Sequence, residues 1–394
     1  MSIIGCMLML WLATTPIGPP APKPAPATAK PTHTAAKPAA STPHKQAKPS
    51  VDARNGWTLT TSLGRLYDDN VIQLTTAGLA LFDRRPGPPR FKIEEVGDWS
   101  TTLDASLRWR GRPIERRETT VEGGFTVRRY DVDDVVDREE YAISLDQELT
   151  ASQKHLLRGS VWLTHLPNYY LGELTDLDES VAAGTRVRNS LQYAQSTYGV
   201  RLAQGLMRGR LTLDGSLERL HREYGPHFRE RDNDNDQVQL AATVRPFKDW
   251  GASFRLIWLR GDLNARGDLP DSLGVTDVDI SYDHNGVGAA ASLPWSKGSW
   301  RGRLDLSVMP EHRRYVTGDK FDVARFGRLA DRLETRAHLV EHLTELLDVV
   351  VTASRLTSRV SYSVPIAIDP SQTDFDQDTF GIALRARWDW HPKQ

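Results

Sequence analysis

His338-Leu-Val-Glu-His342 places two imidazoles four residues apart, with a carboxylate just before the second. On a helix this H-x-x-E-H spacing gives a zinc ion two nitrogen ligands and sets a general base beside them. On a strand His338 and His342 still share a face, but Glu341 points to the opposite one. The flanking residues fit both periods. Phe326, Leu329, Leu333, Ala337, Val340 and Leu347 recur at helical spacing, whereas Asp348-Val-Val-Val-Thr-Ala-Ser354 is β-branched. We read 332–348 as strand, and so expect two histidines on a polar face, with no metal and no cofactor.

Glu230-Arg-Asp-Asn-Asp-Asn-Asp236 gathers oxygens that calcium could use, yet it lacks the glycine and terminal glutamate of a twelve-residue calcium loop and reads as a solvated loop. Arg260-Gly-Asp262 and Arg266-Gly-Asp268 read as chance tripeptides in a charged stretch. No glycine-rich phosphate loop, nucleophile elbow or Cys/His cluster is present in the sequence, so no catalytic set assembles and we expect no enzyme.

The charges with the most regular spacing are arginines and carboxylates at every second residue. They are Arg108, Arg128, Arg210, Arg245, Arg301, Arg303, Arg385 and Arg387, with Asp104, Glu122, Asp146, Glu148, Asp214, Glu218, Asp305 and Asp389. Their sequence neighbours are apolar: Trp99, Thr101, Leu103, Ala105, Leu107 and Trp109 interleave with Ser100, Thr102, Asp104, Ser106 and Arg108. Phe380, Ile382, Leu384, Ala386, Trp388 and Trp390 do the same against Gly381, Ala383, Arg385, Arg387 and Asp389. A period of two is a strand with one apolar and one polar face. Such segments run to about ten to fifteen residues, whereas strands of soluble proteins average about five or six, which favours a membrane-spanning barrel over a sandwich.

The expected strands are Trp57–Tyr67, Trp99–Arg110, Thr119–Tyr130, Glu139–Thr150, His155–Leu166, Asn189–Ala203, Arg208–Arg222, Asn235–Pro246, Trp250–Gly261, Asp279–Leu293, Ser299–Arg314, Leu333–Leu343, Leu347–Tyr362 and Asp378–Trp390. Tight connections such as Thr150–His155 and Leu343–Leu347 alternate with long polar ones such as Asp68–Asp98, Pro167–Arg188 and Ser363–Gln377. The fold class is therefore all-β, a transmembrane antiparallel up-and-down barrel of about 14 strands (range about 12–16), with short turns on one side and long loops on the other. An even count returns both termini to the short-turn side. The charged set above is the candidate pore lining, either polarising an open lumen or closing it by salt bridges. Trp57, Trp109, Trp250, Trp295, Trp300, Trp388 and Trp390 all fall at the turn ends, where an interfacial aromatic girdle is expected.

Three segments are expected: a signal-peptide-like 1–15, a Pro/Ala/Lys-rich disordered linker at 16–50 and the barrel at 51–394. Ile3–Ala13 has the length of an export h-region, and Ile3-Ile-Gly-Cys6 resembles a lipobox that would lipidate Cys6. The linker cannot bury enough apolar surface to order, and reads as a passive spacer or as a basic arm for a periplasmic partner. Among the 394 residues, Lys+Arg 50 balances Asp+Glu 51 at a sequence pI near 6.8, which removes the basic footprint of a nucleic-acid binder. No stretch beyond residue 20 approaches the ~18 apolar residues of a spanning helix.

Tyr67-Asp-Asp-Asn-Val71 and Leu166-Pro-Asn-Tyr-Tyr-Leu171 resemble a corner and an outer-loop approach of a large group of Gram-negative outer-membrane β-barrel proteins. Thr379-Phe-Gly-Ile-Ala-Leu-Arg-Ala386 is similar to the last-strand signal read by barrel-assembly machinery, although His391-Pro-Lys-Gln394 follows the final aromatic. The resemblance covers about residues 57–390. It implies outer-membrane location with periplasmic termini, and contact with outer-membrane lipid, lipopolysaccharide and the assembly machinery. It implies a porin-like channel for small polar solutes. A non-conducting barrel that anchors, assembles or exports an envelope component is the alternative, and an outer-membrane hydrolase is a third.

Overall fold

The computed structural model describes residues 55–84, 91–114, 117–150, 156–176, 185, 187–247, 250–265, 280–297, 300–317, 325–365 and 369–390. The signal-like segment, Cys6, the linker and Arg266–Asp268 lie outside them. Asp52–Gln394 forms one compact unit.

Among the described residues the chain makes fourteen strands: β1 Gly56–Asp68, β2 Asp98–Ile114, β3 Arg117–Tyr130, β4 Arg138–Glu148, β5 Leu156–Asp176, β6 Val187–Leu206, β7 Leu211–Tyr224, β8 Asn233–Val244, β9 Ser253–Ala265, β10 Tyr282–Lys297, β11 Trp300–Tyr315, β12 Arg328–His342, β13 Leu347–Tyr362 and β14 Phe375–Trp390. Every strand pairs antiparallel with its sequence neighbours, and β1 closes the barrel on β14 from Trp57↔Trp390 to Asp68↔Thr379. Closure leaves no free edge, which satisfies the backbone without water.

The registers carry one face around the barrel. Asp146 pairs with Ser160, Ser160 with Arg201, Arg201 with Ser216, and Ser216 with Gln239. On the far side Glu311 pairs with Arg332, and Arg332 with Ser358. This face is the concave one, because its side chains meet across a skipped strand: Arg158 of β5 reaches Glu118 of β3 at 2.8 Å, and Arg255 of β9 reaches Asp214 of β7 at 2.8 Å. The opposite face carries Leu103, Phe125, Leu213, Leu217, Leu240, Ile382 and Leu384, with Leu63, Leu202 and Leu256 each 59% exposed. An apolar surface that encircles the molecule is stable only against hydrocarbon, so the exterior is the membrane-facing side.

Beyond end shifts of up to about four residues, as at Ile114 of β2, Ala265 of β9 and Lys297 of β10, three features differ from the sequence reading. β5 and β6 continue to the pair Asp176↔Val187, past bulges at Leu166/Tyr169 and Tyr170/Gly172, where a loop from Pro167 to Arg188 is expected. Pro167 breaks the alternation there, and the bulges absorb it. Residues 328–342 are strand, as read, but the strand begins five residues before Leu333.

The third difference is the long connection between β1 and β2, which is no solvated loop. It contains helix α1, Thr76–Arg84. Thr75 caps it, its hydroxyl accepting from the Gly78 amide at 3.2 Å. Val71, Ile72, Phe82, Phe91 and Ile93 form a small core with Tyr130, Val136 and Tyr170. Asn70 holds the corner. Its side chain donates to the Leu74 and Asp376 carbonyls at 2.9 and 3.0 Å and accepts from the Leu74 amide at 2.7 Å. Lys92 reaches Glu173 at 3.3 Å and donates to Ser190, so the segment extends from β1 and β2 to the β5–β6 hairpin.

Candidate functional site: the barrel interior

The inward side chains fall into two tiers. The tier near the tight turns is built of closed ion pairs. Arg108 meets Glu122 at 2.7 Å on the neighbouring strand. Glu118 sits between Arg110 and Arg158, and Arg158 also holds Asp146 at 3.1 Å, which accepts from Ser160 at 2.7 Å. Asp214 is clamped by Arg201 at 3.1 Å and Arg255 at 2.8 Å. Asp348 takes Arg385 at 2.7 Å and His342 at 2.6 Å. Arg303 with Asp305 at 2.8 Å, and Arg387 with Asp389 at 3.1 Å, are pairs within one strand.

The remaining expected lining residues take separate positions. Asp104 accepts from Thr126 at 2.7 Å. Arg210 and Arg245 lie at turns instead of on the wall: Arg245, just past β8, donates to the Gly209 carbonyl and the Thr212 hydroxyl, both at 3.2 Å, beside the β6–β7 turn that contains Arg210. Arg301 pairs in register with His342 at the rim. Glu148 accepts from the Glu118 amide at 3.3 Å. Arg128 forms no ion pair among the described residues, and with Asp104, Glu140, His338 and Arg385 it lines a cavity of about 450 Å³. A second space of about 320 Å³ is bounded by Trp162, Arg201, Glu218 and Arg255. The Trp162 ring lies flat over Gly199, where a Cβ would come within 1.9 Å of it.

The H-x-x-E-H residues are separated by the strand geometry. His338 faces Asp305 at 3.5 Å and His342 faces Asp348, while Glu341 takes the outward face. Four residues of strand put the two imidazoles about 13 Å apart along the chain. In the 230–236 segment, Asp236 pairs with Arg219 at 2.6 Å and Asp234 with His221 at 2.8 Å, so these acids are held by the protein.

The seven tryptophans lie at the turn end in two sectors. Trp57, Trp109 and Trp390 are register partners on β14, β1 and β2, with Trp388 beside them. Trp250, Trp295 and Trp300 gather at β9–β11, where the Trp250 indole donates to the Pro294 carbonyl at 3.1 Å. At the other end the outward face turns ionic. Examples are Arg65 with Asp131, Arg129 with Glu139, and Arg359 with Asp376 at 2.8 Å. Eight residues from Trp57 to Arg65, on a strand tilted by about 40°, bound an apolar band roughly 20 Å tall.

The second tier, near the long loops, contains residues outside the expected lining. Tyr169, Tyr193 and Tyr224 stand side by side on β5–β7, with ring centroids 5.3 and 5.2 Å apart. Tyr282 and Tyr315 repeat this on β10 and β11 at 5.4 Å. A guanidinium lies over each of four rings: Arg138 over Tyr169 at 5.5 Å, Arg222 over Tyr193 at 5.1 Å, Arg313 over Tyr282 at 4.6 Å and Arg328 over Tyr315 at 4.8 Å. Arg332 lies 5.9 Å from the Phe375 ring. Glu311 holds Arg313 at 2.6 Å and His284 at 3.4 Å. The signal for this tier was in the sequence: Tyr193, Tyr224, Tyr282 and Tyr315 each have a polar residue two positions further into the strand, namely Gln195, Arg222, His284 and Arg313. Their clustering depends on register.

No protein-family model matches the chain, and no curated protein aligns with it. Among solved structures it is similar to an anion-selective porin from Comamonas acidovorans, with 9% identity over 84% of this chain and 98% of that one, at a TM-score of 0.37. It is similar to Pseudomonas aeruginosa OccK1 (OpdK), with 12% identity over 85% and 99%, at 0.37. A TodX monoaromatic hydrocarbon channel overlaps with 8% identity over 86% and 91%, at 0.43. No residue role is carried across from any of them.

Proposed function

We propose that the protein is a porin-like outer-membrane channel giving passive or weakly selective passage to small polar solutes. The observation that carries the reading is the closed fourteen-strand barrel, with an apolar exterior and an interior of fixed charge around water-sized space. The ion pairs of the turn-end tier run mainly along the wall, between neighbouring or next-neighbouring strands. They hold the charged side chains against the barrel and leave the solute a polar surface to pass. The Trp-bearing end is the periplasmic one in this reading, so both termini are periplasmic, and the outward ionic collar meets lipopolysaccharide. The β14 signal engages the assembly machinery, and the 16–50 linker extends toward a periplasmic partner. No catalytic role is assigned.

Conductance of the refolded protein in a planar bilayer at high salt tests this, with a variant lacking residues 1–50 beside it. Discrete ohmic steps in both are expected. Silence in both replaces the channel by the non-conducting anchor, and steps only after truncation make the basic linker a plug.

A further inference from the structure

The upper tier is built as a binding surface, and its chemistry specifies what it binds. Five arginines, Arg138, Arg222, Arg313, Arg328 and Arg332, point inward near the long-loop end, on β4, β7, β11 and β12. Only Arg313 has an ion pair; Arg138, Arg222, Arg328 and Arg332 form none among the described residues. The Nε atoms of Arg328 and Arg332 are buried without a hydrogen-bond partner. In the turn-end tier Arg201 and Arg255 also keep a buried Nε without a hydrogen-bond partner, but both face the Asp214 carboxylate, and Glu118 and Asp348 are likewise held by cations. Excess cations inside low-dielectric walls focus the field and raise the local concentration of anions.

The tyrosines narrow the class. Arg313 is held by Glu311, Arg222 donates to Gln195 at 3.0 Å and Arg138 bonds Tyr169, whereas Arg328 over the Tyr315 ring and Arg332 beside Phe375 are held by cation–π attraction and keep their N–H edges for a ligand. A flat aromatic solute needs open ring faces, and a guanidinium takes one face of four of these five rings while a neighbouring tyrosine stands against each. What the belt still offers is guanidinium edges alternating with phenolic hydroxyls. These suit a solute carrying a carboxylate together with several hydroxyl groups.

The geometry points to a binding site for a small acidic sugar of the hexuronate type at the Arg–Tyr belt, a substrate class that rests on the channel reading given above. The carboxylate sits between Arg328 and Arg332, with Arg313 kept in place by Glu311, and the sugar hydroxyls meet Tyr282 and Tyr315.

Calorimetric titration of the refolded full chain in detergent tests this without requiring conductance, with glucuronate, glucose, inorganic phosphate and benzoate as probes. Glucuronate is expected to bind at least about tenfold more tightly than the other three, since glucose lacks the carboxylate and phosphate and benzoate lack the sugar hydroxyls, and one charge-assisted or two neutral hydrogen bonds are worth about that factor. Arg332→Gln should weaken glucuronate by about tenfold or more, Arg332→Lys by less, and Tyr282→Phe should lower affinity with the ring retained. Arg355→Gln, on the outward face, should leave affinity unchanged. Absence of glucuronate binding overturns the proposal. Equal binding of phosphate makes the belt a plain anion site, and equal binding of benzoate makes it an aromatic one; either overturns it. Retained heat-modifiable gel mobility certifies that each variant is folded. A protein that binds glucuronate but carries no current keeps the belt and removes the channel, whereas one that conducts without binding does the reverse.

Discussion

At the scale of single residues, Asn70 is the side chain on which the β1–β2 segment turns. Its three hydrogen bonds tie the corner to its own loop and to β14, and Gln377 adds a bond from β14 to the Asn70 carbonyl at 3.2 Å. Asn70→Ala should cost docking of the segment about 1–3 kcal/mol through the unsatisfied Leu74 amide. Amide exchange at Leu74 and Val71 should accelerate, while far-UV circular dichroism stays unchanged. The carboxyl of Asp133 lies in the β3–β4 turn, and burial raises it above the usual Asp range even though it accepts from the Glu94 amide at 2.6 Å. A raised folded pKa means the docked segment holds the proton more tightly than the unfolded chain. The stability it contributes is present below the unfolded value of about 3.9 and is lost as pH rises through the folded one. Protection of the Glu94 amide, corrected for intrinsic exchange, should therefore be greater near about pH 4 than near pH 7, and Asp133→Asn should flatten the difference.

At the scale of elements, each strand presents lipid with one parity and the interior with the other. Leu213 and Leu304 belong to the outward parity of β7 and β11, and Ser307 to the inward one. Arg at Leu213 or Leu304 should destabilise the inserted barrel by roughly 2–4 kcal/mol, whereas Arg at Ser307 should be tolerated. Reversible urea unfolding in lipid vesicles measures both. On β5 and β6 the Trp162 ring covers Gly199, a pairing that supplies cross-strand contact where glycine has no side chain. Gly199→Leu should displace the ring and blue-shift or quench Trp162 emission; an unchanged spectrum in a Trp162-only background would contradict the packing.

At the scale of the whole molecule, the fourteen strands and the packed β1–β2 segment should unfold as one cooperative body. Far-UV circular dichroism in detergent is expected to be strand-dominated, and a mostly helical spectrum would overturn the architecture. The sequence alone determined the barrel class, a strand count near fourteen to within about two, and the alternation of faces along most strands. Those properties are local, a two-residue period with turns between segments, and no distant contact alters them. Arg108, Asp104, Asp214 and Arg385 were therefore placed on the inward face by counting. What only the tertiary structure decided are the relations between strands. Register made Glu118 the hinge between Arg110 and Arg158, and set Arg313 over Tyr282. The apolar residues of the β1–β2 connection, aperiodic in sequence, became a core once Tyr130 and Tyr170 stood beside them. Contacts of that kind depend on how far one strand slides against the next, and a period of two is the same at every such offset.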